Sequence, residues 1–202
     1  MDPAVIRSKF GEGLVADAHT FVMGIDRRFT TVIAQRFRDR RVLETCTGAG
    51  FSTIELARVA AHVTTAEINP AHQAQARHNV KTAGLLHRVT FVLADIMDET
   101  TWEGLPAIEA AFLDPDWAIT GPQHVHHFRN STTRPPADAL LDRVFRATRN
   151  IALILPPSVA IDEFAGLPLH ELQRLYLGER HELYCLYFGD LAVISGETEL
   201  RA

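Results

Sequence analysis

Short apolar runs alternate with amphipathic stretches along most of the chain. From Asp26 to about Phe37, residues Phe29, Val32, Ile33 and Phe37 recur at helical spacing and predict a helix with one buried face. Val42-Leu43 is a short strand entering the turn Thr47-Gly48-Ala49-Gly50, and Thr53 to Ala60 is helical. His62 to Ala66 predicts a second strand. Pro70 opens a helix to Thr82, at a position where its missing N–H costs nothing, and Gly84 stops it. Val89 to Leu93 and Ala110 to Leu113 are the third and fourth strands. Pro135-Pro136 opens a helix to about Ala147, and the wholly apolar Ile151 to Leu155 fits a strand buried on both faces. Leu169 to Tyr176 and Glu182 to Phe188 read as two strands joined by a glycine-containing turn.

No internal repeat, low-complexity tract or Gly/Ser linker interrupts this order. It predicts one α/β domain over residues 1–202, with residues 1–40 as a helical extension packed on it. The first half, β-α-β-α-β, is a mononucleotide-binding unit. The right-handed crossover rule brings the carboxyl ends of its three strands to one rim, where ligands bind in such sheets.

The 202 residues are 47% hydrophobic and 22% charged, an ordinary globular balance. There is no apolar run near the roughly 18 residues of a membrane span, and MDPAVIRSKF contains no apolar signal core. Cys46 and Cys185 make neither a disulfide framework nor a CxxC pair, so a reducing cytoplasm is expected. The net charge is −5, which excludes a basic nucleic-acid coat. It is uneven: residues 1–41 and 120–150 each carry +3, residues 42–119 carry −6 and residues 151–202 carry −5. The basic segments either steer an anion locally or form solvated faces.

Polar residues fall at the predicted strand ends. Glu44 closes the first strand, Gly48 and Gly50 shape the next turn, Glu67 closes the second strand and Asp95 the third. Glycine at 48 lets backbone approach a ligand with no Cβ in the way. Glu67 is placed to accept both hydroxyls of an adenosine ribose, and Asp95 to accept from an adenine amino group. Glu44 would repel a pyrophosphate but suits a ligand bearing an ammonium and a sulfonium. A nicotinamide dinucleotide wants GxGxxG, and Gly48-Ala49-Gly50-Phe51-Ser52-Thr53 lacks the third glycine. S-adenosylmethionine needs only the shorter GxG turn, so the methyl donor is the better fit.

The fourth strand ends in Phe112-Leu113-Asp114-Pro115-Asp116-Trp117. This run resembles the [DNS]-P-P-[YFW] element of methyltransferases that act on exocyclic amines of nucleobases. Such an amine is a weak nucleophile because its lone pair is delocalised into the ring. Hydrogen-bond acceptors, here the Asp114 carboxylate and the Pro115 carbonyl, would localise that pair. Trp117 would stack on the base, a contact worth about 1–3 kcal/mol in single-strand binders. Asp116 stands where such enzymes have a second proline.

A longer set of matches runs through the chain. Glu44-Thr45-Cys46-Thr47-Gly48-Ala49-Gly50-Phe51-Ser52-Thr53 looks like D-x-F-C-G-x-G-G-N-T with one extra residue before the glycine. Ala66-Glu67-Ile68-Asn69-Pro70 looks like I-D-I-D-P, and Ala94-Asp95-Ile96 like G-D-F. Phe112 to Trp117, with Gly121-Pro122, is similar to F-L-S-P-P-W-G-G-P. Leu155 to Asp162 is similar to L-P-R-N-A-D-I-D, and Tyr187-Phe188-Gly189-Asp190-Leu191 repeats Y-F-G-D-L. Over about residues 20–195 the chain thus resembles the trimethylguanosine synthase family, which methylates N2 of the 7-methylguanosine cap. The resemblance implies a Rossmann-like class I methyltransferase fold: α/β, a seven-stranded mostly parallel sheet with helices on both faces and an antiparallel C-terminal strand. It also implies S-adenosylmethionine as cofactor and a nucleobase-containing substrate, RNA or nucleotide.

The donor-lining residues expected on this basis are Glu44, Cys46, Gly48, Gly50, Thr53, Glu67, Ile68, Asp95, Ile96 and Asp114. Asp114, Pro115 and Trp117 are the expected catalytic group, and Asp116, Trp117, Arg129 and Arg134 the substrate contacts. Asp114, Asp116 and Ala118-Ile119 replace the family's Ser, second Pro and Gly-Gly, so the substrate need not be a cap. A compact microbial relative is expected, without a membrane or metal partner. His124, His126 and His127 form HxHH, but no matching ligand pair stands at metal spacing. Three other activities stay open: a small-molecule methyltransferase, a dinucleotide-dependent oxidoreductase and an idle cofactor-binding module.

Overall fold

The computed structural model of the chain describes residues 2–117 and 125–202. Ala118-Ile119, Gly121-Pro122 and His124 lie outside the described residues. The chain divides into two compact units, Met1–Glu109 and Ala110–Ala202.

In the first unit three aspartates set the starts of the N-terminal helices. Asp2 caps α1 (Pro3–Phe10), Asp17 forms a reciprocal capping box with Thr20 in α2 (Ala18–Met23), and Asp26 caps α3 (Arg27–Ala34). Each carboxylate accepts an N–H that the first helical turn cannot satisfy itself. Three parallel strands follow, β1 (Arg41–Thr45), β2 (His62–Glu67) and β3 (Val89–Leu93), with β2 central. Their crossovers are α4 (Phe51–Val59) and α5 (Pro70–Thr82). The register sets Glu44 opposite Thr65 and Glu67 opposite Leu93, so both acids reach the same end of this sheet. The short α6 (Glu99–Glu103), which the apolar pattern does not show, is capped by Asp98.

In the second unit β4 (Ala110–Leu113) and β5 (Ile151–Leu155) pair in parallel, with α7 (Ala137–Val144) between them in sequence. Beyond β5 the order is β7 (Arg180–Phe188), β6 (His170–Leu177) and β8 (Gly196–Arg201). β7 runs antiparallel to both β5 and β6, while β8 runs parallel to β6.

Among the described residues there are therefore eight strands where seven were expected; β7, the strand expected over Glu182–Phe188, is antiparallel as expected, and β8 is the addition. β8 has the sequence GETELR and no buried residue, so hydrophobic periodicity gives no sign of it. Backbone pairing to β6 holds it, together with Glu171, whose buried carboxylate accepts from Thr198 Oγ1 at 2.7 Å and from the Val193 N–H at 2.9 Å. The predicted helix from Pro135 to Ala147 is trimmed to Ala137–Val144, since Pro136 sits outside as its N-cap.

Candidate active site

The turn after β1 is built on left-handed backbone. Cys46, Gly48 and Gly50 have φ of 61°, 53° and 77°. Gly50 is required sterically, because a Cβ there would lie 2.9 Å from Ala76 Cβ and 3.0 Å from Ala76 Cα on α5. Gly48 differs: among the described residues a Cβ there would meet nothing within 4 Å, which leaves its backbone open to a ligand on that side. Cys46 is the surprise, since a non-glycine residue at this φ stores strain of about 1–2 kcal/mol, and such residues gather at functional sites. Its N–H donates to the Ala66 carbonyl at 2.9 Å, pinning the turn to β2.

Glu67 is buried and fixed from two sides. Oε2 accepts from the Gly48 N–H at 2.9 Å and Oε1 from the Asn69 N–H at 2.9 Å. One carboxylate thus holds both the glycine turn and the start of α5. Each oxygen keeps a lone pair for a further donor, as two vicinal hydroxyls would require. Glu44, only 2% exposed, accepts from the Thr53 hydroxyl at 2.6 Å. Burial pushes its carboxyl up to about 7, and the nearby charge of Glu67 acts in the same direction. Thr53 is wholly buried and spends its hydroxyl on Glu44, so it positions that acid rather than facing a ligand.

Asp95 is exposed just past β3, where Oδ1 accepts from the Met97 N–H at 2.8 Å. Ile96 is buried, and its carbonyl accepts from Trp102 Nε1 at 2.8 Å, which ties the loop after β3 to α6. Ile68 is 66% exposed beside Glu67, an apolar surface where an aromatic ring could lie. Thr65 joins the site without any signal in the sequence. Its hydroxyl pairs with that of Thr47 at 2.5 Å and also hydrogen-bonds Glu44.

In the second unit, Asp114 and Pro115 leave β4, and Asp116 then forms an isolated antiparallel bridge with Arg134. Asp116 and Arg134 exchange two backbone hydrogen bonds, at 2.9 and 2.8 Å, which brings two expected substrate residues together. The partly buried Trp117 ring meets His126 edge-on, with centroids 6.3 Å apart. Arg129 lies apart from that pair: its guanidinium donates to the Ala165 carbonyl at 2.8 Å and its N–H to Glu163. His127 also bonds Glu163, at 2.5 Å, whereas His126 is buried and bridges Val159 through backbone. Among the described residues no three His, Cys, Asp or Glu side chains are grouped to hold a metal.

The sequence profile of a family described as RNA cap guanine-N2 methyltransferase matches residues 39–182. The chain belongs to this family. A catechol O-methyltransferase of Mycobacterium tuberculosis (strain ATCC 25618 / H37Rv) is 40% identical over 93 residues, 44% of this chain and 42% of that one. A second, from Niastella koreensis (strain DSM 17620 / KACC 11465 / NBRC 106392 / GR20-10), is 31% identical over 127 residues, 59% of this chain and 56% of that one. The matches thus span about half the length of these relatives. Among solved structures, a methyltransferase candidate from Porphyromonas gingivalis W83 superposes with a TM-score of 0.73 at 15% identity, over 91% of this chain and 47% of that one. The M. capricolum protein TrmK, solved with S-adenosyl-homocysteine, gives 0.59 at 11% identity over 83% and 69%. At these identities the likeness establishes a Rossmann-like methyltransferase fold.

Proposed function

We propose that the chain is an S-adenosylmethionine-dependent N-methyltransferase acting on an exocyclic amine of a purine, guanine N2 or a similar group, in RNA or a nucleotide. The observation that carries this reading is the open backbone at Gly48, flanked by two buried acids, Glu44 and Glu67, at one end of a parallel sheet. The arrangement fits the donor. Glu67 has acceptor capacity for two ribose hydroxyls, and Glu44 supplies negative charge for an ammonium and a sulfonium where a phosphate would be repelled. Family membership supports the same assignment.

S-adenosylmethionine supplies an electrophilic methyl carbon, whose bond to sulfur breaks as the acceptor nitrogen's lone pair attacks. The residues of this chain supply position and charge. In our reading Asp114 and the Pro115 carbonyl accept hydrogen bonds from the acceptor amine, and Trp117 stacks on its base. Asp116 and Arg134 form the neighbouring wall, and Arg129 contributes a phosphate contact. The amine proton leaves after transfer, so no strong base is needed. The gain comes mainly from holding nucleophile and methyl about 3–3.5 Å apart in line.

A small-molecule acceptor is the second reading. The catechol O-methyltransferase relatives and the acidic net charge of −5 favour it. Labelled-methyl transfer to total RNA, free guanine nucleotides and catechols tests the two together. Incorporation into RNA or a nucleotide supports the amine reading. Label found only in catechols would replace it with the second.

A further inference from the structure

The N-terminal segment lies along one face of α5. Proceeding from residue 13 to residue 20, it meets α5 in reverse order. A Cβ on Gly13 would sit 3.2 Å from Thr82. Val15 pairs with Asn79, Asp17 and Thr20 bond Gln75, and the His19 ring stacks on His72, with centroids 5.5 Å apart at 14°. Thr82, Asn79, Gln75 and His72 are spaced by three and four residues, which makes one stripe of the helix. The stripe ends beside the donor site: His72 Nδ1 is 3.9 Å from Glu67 Oε1.

Asn79 is the joint. It is fully buried, with Ala76 and Val80, toward the C-terminal end of a largely polar helix. Its Oδ1 accepts from the Val15 N–H at 2.8 Å, and its Nδ2 donates to the Val15 carbonyl at 2.8 Å and to the Ala49 carbonyl at 2.9 Å. Ala49 is the residue between Gly48 and Gly50. One side chain therefore uses both amide hydrogens to connect the N-terminal segment to the glycine turn. A second anchor lies one residue past the turn, where Phe51 stacks on Phe10 with centroids 3.6 Å apart.

We propose that Asn79 is a positioning residue for donor binding, and that the segment 13–20 is a strap whose closure sets the glycine turn. Binding of the donor and closure of the strap are then thermodynamically linked. If the turn takes its binding shape only when the strap is seated, donor occupancy must protect the strap, and loss of the strap must weaken the donor. The proposal rests on the donor reading given above, and the experiment keeps the two failures apart.

The probe is S-adenosylhomocysteine, with native-state hydrogen exchange of the whole chain. The Val15 amide reports the strap through its bond to Asn79. The Ile154 amide, in the fully buried strand β5, reports global opening. At a ligand concentration 100-fold above Kd, linked closure raises Val15 protection by up to about 100-fold, while Val15 still exchanges faster than Ile154. Unchanged Val15 protection in a saturated protein overturns the inference and leaves the donor reading intact. Equal protection factors at Val15 and Ile154 overturn it too, because exchange is then global. No heat of binding at any concentration overturns the donor reading, and the inference falls with it. Asn79→Ala should weaken S-adenosylhomocysteine by at least about tenfold, the scale of a lost buried hydrogen bond. Gln75→Ala, which loosens the strap without touching the turn, should weaken it in the same direction by less. Wild-type affinity in a folded Asn79→Ala chain also overturns the inference.

Discussion

Replacing Glu44 by Gln tests the electrostatics of the site through stability alone, with no substrate needed. Burial shifts this carboxyl from 4.5 to about 7, so in the folded chain it holds its proton about 3 kcal/mol more tightly than in the unfolded chain. The sign follows from linkage. A raised folded-state pKa contributes stability that is complete below pH 4.5 and lost as pH rises through about 7. Gln cannot titrate, and its carbonyl oxygen can still accept from Thr53. The stability of Glu44→Gln relative to wild type should therefore climb by about 3 kcal/mol between pH 4.5 and pH 8. Urea denaturation of both proteins across that range, without ligand, gives the difference directly. A flat difference would show that Glu44 titrates normally and would refute the burial-driven shift. The same titration governs binding. In wild type, affinity for S-adenosylhomocysteine should rise up to tenfold per pH unit below about 7 and level above it, whereas Glu44→Gln should show no such slope.

Three further substitutions separate roles. Gly50→Ala places a methyl 2.9 Å from Ala76 at a left-handed φ, and thermal unfolding should show a loss of about 2–4 kcal/mol. Gly48→Ala meets no neighbour among the described residues, so it should cost only about 1 kcal/mol of stability yet abolish most calorimetric donor binding; the reverse order would exchange the two assignments. Trp117→Ala should lower methyl transfer far more than S-adenosylhomocysteine affinity, and equal losses would mark Trp117 as structural. If RNA is the acceptor, labelled-methyl transfer should fall steeply across a salt series as phosphate contacts are screened, and an unchanged rate would point to a small acceptor.

Much of the fold was legible where apolar runs are bounded by proline and glycine. The bounds of α5, β3, β4 and β5 coincide with those predicted, because Pro70, Gly84 and the fully apolar Ile151–Leu155 leave little latitude. β8 was invisible because its order comes from pairing and from Glu171, a residue far away in sequence. At the site, the acids and glycines were legible as residue types at strand ends. Their environments were not. That Thr53 serves Glu44, or that Glu67 clamps the Gly48 amide, depends on contacts the strand order creates but no local pattern encodes. Cys46 was expected at the site from the resemblance, but its left-handed backbone was not, since sequence marks such backbone only where glycine occupies it. Asn79 gave none either, because an asparagine in a polar helix reads as a solvated residue; only the folded N-terminal segment reveals its burial.

The central claim is that Glu44, Gly48 and Glu67 hold an adenosine-bearing ligand with an ammonium group rather than a dinucleotide. Isothermal titration of the wild-type chain with S-adenosylhomocysteine and, separately, with NAD addresses it most directly. One molecule of S-adenosylhomocysteine bound per chain, weakened at least about tenfold in Glu67→Ala, with no heat from NAD, is the predicted result. Saturable NAD binding with no response to S-adenosylhomocysteine would contradict it.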